Sequence, residues 1–190
     1  ERVLRAIVDA ASAHDAKVIA EDLGVIPTWA RESLQRLQLP GYKVMMWEKD
    51  HDTFRDPAAY PYLWHAATGT LDTETRSVWW TTLNPDERAH AIADIPALAS
   101  LKKSSKVDTL TPEVHRALLT AIYGAGSELT LLPFQDLLGL EERVNTPGTV
   151  GAHNWSWRLP DTIEAMRADP RVQAKLHVVS KVVAASGRVA

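Results

Sequence analysis

Four short apolar runs, each followed by a helical pattern and each ending in polar or acidic residues, limit the folds open to this chain. They are Val18-Ile19-Ala20, Lys43 to Trp47, Ala66 to Thr70 and Leu129 to Leu132. Runs of this length without polar alternation read as strands buried on both faces. Such burial belongs to parallel sheets whose crossovers are helices. The fold class is therefore α/β, with parallel strands and flanking helices. Two architectures suit four such units: a small doubly wound sheet, or half of an eight-stranded barrel.

The intervening patterns predict the helices. Val3, Leu4, Ile7, Val8 and Ala11 form one stripe between Glu1 and His14, with Arg2, Arg5 and Asp9 off it, as in a helix packed on a sheet. A second helix runs from Pro27 to about Leu39, with Trp29, Leu34 and Leu37 at helical spacing, and Pro40-Gly41 ends it. Thr73 is placed to cap a helix containing Val78, Trp79 and Trp80. Asn84-Pro85-Asp86-Glu87 supplies a cap, an N1 proline and a carboxylate for the next helix. Thr111-Pro112-Glu113 opens another, with Val114, Leu118, Ala121 and Ile122 inward, closed by Gly124 and Gly126. Thr162 and Asp169-Pro170 start the last two, the final one carrying Val172, Leu176, Val179 and Val183. No repeat, low-complexity tract or linker divides residues 1–190, so a single domain is expected.

Composition narrows the function classes. A formal net charge of -3, with basic residues scattered among acids, gives no footprint for nucleic acid; Lys102, Lys103 and Lys106 read as a solvated loop. There is no cysteine, which removes disulfides and thiolate metal sites and fits a reducing compartment. No apolar stretch reaches membrane-spanning length and no signal-peptide pattern opens the chain, so a cytoplasmic protein is expected. The chain begins at Glu1 rather than Met, as an excised or processed piece would. None of the seven histidines forms an H-x-x-x-H or H-E-x-x-H pair, and Gly124-Ala125-Gly126 lacks the rest of a phosphate-binding pattern. Neither metal nor cofactor is expected.

Chemistry is expected at the strand ends. The run Val18-Ile19-Ala20 stops at Glu21 and Asp22, then Gly24 and Pro27, as a strand opening into a loop. In parallel α/β folds the loops after the strands rim the cleft. Such an acidic pair is also what a helix cap or a solvated loop contains. Asp72 follows the third run in the same way. The stretch Asn145 to Arg158 is long, glycine-containing and rich in tryptophan, which marks a functional loop rather than a disordered one. Trp47, Trp64, Trp155 and Trp157 suit the apolar faces of sugar rings, whereas Trp79 and Trp80, inside a helix, suit a core equally well.

Five segments resemble, in order, those of the amylomaltases, the 4-alpha-glucanotransferases of glycoside hydrolase family seventy-seven and relatives of the alpha-amylases. They are AEDLG (Ala20 to Gly24), LPGYKV (Leu39 to Val44), TGTLDTETR (Thr68 to Arg76), QDLLGL (Gln135 to Leu140) and NTPGTVGAHNWSWRLP (Asn145 to Pro160). The resemblance implies the C-terminal half of a TIM (β/α)8 barrel, strand-helix units five to eight. It also implies transfer of α-1,4-glucan segments by a retaining mechanism, in which two carboxyl groups stand about 5 Å apart across the bond. By motif Glu21 resembles the acid/base and Asp72 the third carboxylate, which grips sugar hydroxyls in the transition state. Trp47, Asn154 and Trp155 resemble substrate-side groups, and Asp22 a loop brace. The nucleophile of the family belongs to the fourth unit, outside this stretch.

One departure stands out. The family usually places histidine immediately before the third carboxylate, where this chain has Leu71, so a hydrogen-bond donor is missing. The isolated chain is therefore expected to be inactive. A second reading, from another class, is a non-catalytic glucan-binding or barrel-completing module. Open sheet edges near Val18 and Leu131 would favour pairing with a second copy, as a homodimer, or with the missing N-terminal half. Glu21 and Asp72 are expected to face one common hollow.

Overall fold

Local signals in the sequence set most of the helices of the computed structural model, which describes residues 1–188. The helices are α1 (Arg2–Ala13), α2 (Thr28–Arg36), α3 (Arg76–Thr82), α4 (Pro85–Asp94), α5 (Pro112–Tyr123), α6 (Phe134–Leu138), α7 (Ile163–Ala168) and α8 (Pro170–Ala185). Asn84 and Glu87 close a reciprocal capping box at α4, and Thr111, Thr162 and Asp169 cap α5, α7 and α8 through their side chains. α3 is capped by Thr75, two residues beyond the expected Thr73. The Thr75 hydroxyl accepts from the Val78 N–H, while Thr73 spends its hydroxyl inside the preceding turn, accepting from Thr70 N–H and donating to the Thr70 carbonyl.

The strands are β1 (Tyr42–Val44), β2 (Lys49–Asp50), β3 (Thr53–Phe54), β4 (His65–Ala67) and β5 (Leu129–Leu131). β1, β4 and β5 form one parallel sheet in that order, with Tyr42, His65 and Leu129 in register; β2 and β3 form a separate antiparallel ribbon. Three of the four expected strands are thus present and parallel. α3, α4 and α5 lie between β4 and β5, but β1 and β4 are joined by the β2–β3 ribbon and a short 3-10 turn, Pro57–Ala59, where a helix was expected. The fourth expectation, Val18-Ile19-Ala20, is not met as a strand. It runs alongside β1 without forming a ladder, tied by Ala20 N–H to the Pro40 carbonyl at 2.8 Å and by Tyr42 N–H to Asp22 Oδ1 at 2.8 Å. With one backbone bond and one side-chain bond to its neighbour, the segment does not make the evenly spaced backbone ladder that defines a parallel pair.

α5 lies at the centre of the packing. Val114, Leu118, Ala121 and Ile122, the predicted stripe, are all buried, in one core with Ile95 at the end of α4, Leu98 and Leu101 of the 3-10 segment Pro96–Lys103, and Ala66 of β4. Trp79 and Trp80 both belong to this core, meeting edge-on at 6.0 Å, and the Trp80 indole N–H donates to the Val107 carbonyl at 2.7 Å. Arg188 caps the region, donating to the carbonyls of Tyr123, Ala125, Ser127 and Glu128.

α1 departs from expectation. It is helical, but none of its residues is buried, and Val3 and Ile7 are 74% and 49% exposed. Leu4, Val8 and Ala11 of its stripe are half-buried, and Val8 and Ala11 line a cavity of about 550 Å³ at the N-terminal ends of the strands with Val18, Leu39 and Leu129. The apolar surface that would cover the remainder is not supplied by these residues. Likewise β5 borders only β4, so one edge of the sheet is open among the described residues. No helix among them is long and apolar enough to cross a membrane.

Candidate active site

The loops that follow the strand segments carry the residues singled out by sequence. Asp22 turns inward: beyond its bond to Tyr42, its carboxylate occupies the space where Gly41 would carry a Cβ, so the close approach requires glycine. Alternation along the extended chain turns Glu21 the other way, and it is exposed. Glu21 does act on Tyr42, whose hydroxyl is pushed to a higher pKa by burial first and by the Glu21 charge second. A cleft of about 280 Å³ opens beside this pair, lined by Asp22, Arg31, Tyr42, Lys43, Trp47 and Glu48, with Trp47 in the turn after β1.

Asp72 stands in the turn after β4, exposed but firmly held. Its Oδ1 accepts from Asn145 Nδ2 at 2.6 Å, its carbonyl accepts from the Arg143 guanidinium at 2.8 Å, and its N–H donates to Thr70 Oγ1 at 3.2 Å. Arg143 also faces Glu74 at 3.9 Å. Because Asn145 occupies one carboxylate oxygen, the other is left to accept from a ligand hydroxyl.

The loop from Asn145 to Arg158 contains no helix or strand, and its own side chains hold it. Asn154 Oδ1 accepts from Thr146 N–H at 2.9 Å, while its amide donates to the carbonyl and hydroxyl of Thr149. Asn154 therefore braces the loop with both ends of its side chain. Beside it Trp155 adopts φ 60, a left-handed conformation rare for a bulky residue, and is 62% exposed. Its N–H bonds the Val144 carbonyl at 2.8 Å, which fixes the exposed indole in the loop that carries Asn145. Trp157 packs half-buried against Phe134, and Trp64 lies half-buried under the Lys43 ammonium.

Behind Asp72 lies a buried polar cluster that sequence reasoning passed over. Asp136, 1% exposed, accepts from the Thr68 hydroxyl at 2.5 Å and from the Arg76 N–H at 2.7 Å. The Arg76 guanidinium donates to the Asp136 carbonyl and to His115 Nδ1, and its pKa is lowered to about 10, chiefly by burial. Since arginine only donates, His115 Nδ1 accepts and its proton sits on Nε2, which bonds the Leu137 carbonyl at 3.2 Å. Burial, then the neighbouring Arg76 charge, lowers the His115 pKa to about 4. Asn145, Arg143 and Asp136 are the site residues missed. All three lie in or next to the recognised motifs, but which of them reaches Asp72 depends on how α6 and the following loop return to β4. Among the described residues no three histidine or carboxylate side chains are grouped to hold a metal ion.

Comparisons with known proteins show which family the chain is similar to. The family model described as 4-alpha-glucanotransferase matches residues 1–164. The chloroplastic/amyloplastic 4-alpha-glucanotransferase of Solanum tuberosum is 31% identical over 154 residues, covering 76% of this chain and 24% of the relative. The 4-alpha-glucanotransferase of Thermus thermophilus is 31% identical over 156 residues, covering 76% and 29%. Among solved structures, the amylomaltase from Streptococcus agalactiae in complex with acarbose superposes with a TM-score of 0.66 at 27% identity, covering 86% of this chain and 31% of that one. The amylomaltase from Corynebacterium glutamicum shares the fold, with a TM-score of 0.62. The chain thus spans 24% to 31% of the length of these relatives. Motifs in family order, a parallel sheet flanked by helices and a family match over residues 1–164 together place this chain in the 4-alpha-glucanotransferase family.

Proposed function

We propose that this chain forms strand-helix units five to eight of a glucanotransferase barrel and supplies two of its three carboxylates. Glu21 is the acid/base, Asp72 the carboxylate that grips sugar hydroxyls, and the nucleophile comes from a preceding unit outside these residues. In the assembled site the nucleophile attacks the anomeric carbon of an α-1,4-glucan while Glu21 gives its proton to the departing glycosidic oxygen. Glu21, now a carboxylate, takes the proton of an acceptor sugar hydroxyl, which displaces the enzyme and regenerates the α linkage. Trp47 and Trp155 offer flat apolar surfaces to sugar rings. Asn154 serves by holding the Trp155 loop.

The observation that carries this reading is the hold on Asp72: Asn145 and Arg143, from the tryptophan-bearing loop, fix its carboxylate and carbonyl at the end of β4. The exposed flank of β5 and the free side of Val18-Ile19-Ala20 are then the seams for the earlier units, or for a second copy of the chain. The lack of cysteine suits work in the reducing cytoplasm.

Maltotriose disproportionation tests the proposal. The chain alone gives no transfer; joined to the earlier barrel units of a relative it transfers glucan, and Glu21→Gln or Asp72→Asn removes the activity. Transfer that survives both substitutions would refute the roles. A second reading, a glucan-binding module, draws on the exposed indoles of Trp47 and Trp155. It predicts micromolar binding of maltoheptaose by the isolated chain in calorimetry, where the first reading predicts none at that concentration.

A further inference from the structure

We infer that Asp136 is a positioning residue for Asp72, a single buried carboxylate that pins both ends of the turn presenting it. The turn leaves the sheet at Thr68, just past β4, and re-enters regular structure at Arg76, the first residue of α3. Asp136 takes one end with each oxygen, Oδ2 from the Thr68 hydroxyl and Oδ1 from the Arg76 N–H. Thr68, Arg76 and Asp136 are each 1% exposed, so water does not compete for these bonds.

Inside the pinned ends the turn is stiffened again. The Thr73 hydroxyl closes on Thr70 and fills the space where Gly69 would carry a Cβ. The segment that supplies Asp136 then continues through α6, turns at Gly139 with φ 62, and delivers Arg143 and Asn145 to the outer side of the same turn. One stretch of chain therefore fixes the frame of the turn from within and the Asp72 side chain from without. Moving Asp136 shifts the frame relative to Asn145. Arg76 reinforces the arrangement: its N–H holds the Asp136 carboxylate while its guanidinium donates to the Asp136 carbonyl and to His115 Nδ1 of α5.

The geometric part stands alone; the catalytic consequence rests on the glucanotransferase reading of Asp72. Nuclear magnetic resonance of the chain tests the geometry through the Asn145 side-chain amide, which reports its bond to Asp72. In Asp136→Ala its exchange with water is expected to be about tenfold faster. Asp136→Asn, which keeps a carbonyl acceptor for the Arg76 N–H, is expected to recover part of that loss. Ile92→Ala, which opens a cavity in α4, is expected to leave it unchanged. If Asp136→Ala does not fold, Asp136→Asn carries the test with a smaller increase. Unaltered Asn145 exchange in both Asp136 variants, or equal acceleration in Ile92→Ala, overturns the proposal. In the joined enzyme kcat is expected to fall about tenfold with KM nearly constant, as for a group gripping only the transition state. The amide result decides the positioning whether or not the joined protein transfers glucan, so the two readings fail separately.

Discussion

Glu21 and Asp72 sit in opposite kinds of surroundings. Asp72 is fixed by Asn145, Arg143 and Thr70, on a turn whose ends are locked to a buried Asp136. Glu21 follows a segment held to β1 by one backbone bond and one side-chain bond, preceded by a helix with no buried residue. The difference teaches where this stretch of sequence is self-sufficient. From β1 to β5 it builds its own core; before β1 it presents apolar residues whose cover must come from elsewhere.

The largest effect that could break this comparison is loss of the Arg76 charge. Arg76→Ala leaves the Asp136 carboxylate its bonds to Thr68 and to the residue-76 N–H. It strips the charge-assisted guanidinium bonds from the buried Asp136 carbonyl and His115 Nδ1, and should destabilise the chain by about 3–5 kcal/mol in urea unfolding. A loss below about 1 kcal/mol would show that the cluster is not what holds the well-ordered half.

Acid should act next. His115 has its folded pKa lowered to about 4 from 6.5, so between these values the unfolded chain binds more protons than the native one. Stability is therefore complete above pH 6.5 and declines as pH falls towards 4, by about 3 kcal/mol from this residue. His65, buried with both ring nitrogens unpartnered and its pKa also lowered by burial, adds in the same direction. His115→Gln should flatten the decline; an unchanged slope would mean that the titration lies elsewhere.

A smaller effect sharpens the comparison at the site itself. Asn145→Ala should cost about 1 kcal/mol globally, while amide exchange across residues 69–75 quickens. The smallest effect is expected in α1, where Ile7→Ser should change stability by no more than about 0.5 kcal/mol. A loss of several kcal/mol there would mean that α1 is covered in solution, by a second copy or otherwise.

The better-held half was also the more legible. Thr111-Pro112-Glu113 and the period of Val114, Leu118 and Ile122 defined α5 because cap chemistry and apolar spacing are local. The run of β4 could be read because burial on both faces leaves no polar alternation, whereas β5, equally apolar, leaves Leu129 and Leu131 exposed, which its sequence does not reveal. Thr73 and Thr75 could not be told apart as caps, since both precede the same apolar residues and only the closed turn consumes the Thr73 hydroxyl. Asp136 was hidden for a different reason. A carboxylate is fully buried only when several elements meet to pair it, and β4, α3 and α6 are distant in sequence. The stripe of α1 was legible as a helix, but periodicity does not say whether the covering surface belongs to the same chain.

Native-state hydrogen exchange of the chain alone tests the central contrast most directly. The Arg76 N–H, bonded to Asp136, and the Thr70 N–H, bonded to Thr73, should exchange only near the free energy of global unfolding, while the Ala20 N–H exchanges through far cheaper local opening. Protection of Ala20 equal to that of Arg76 would contradict the account, because the Glu21 side of the site would then be as complete as the Asp72 side.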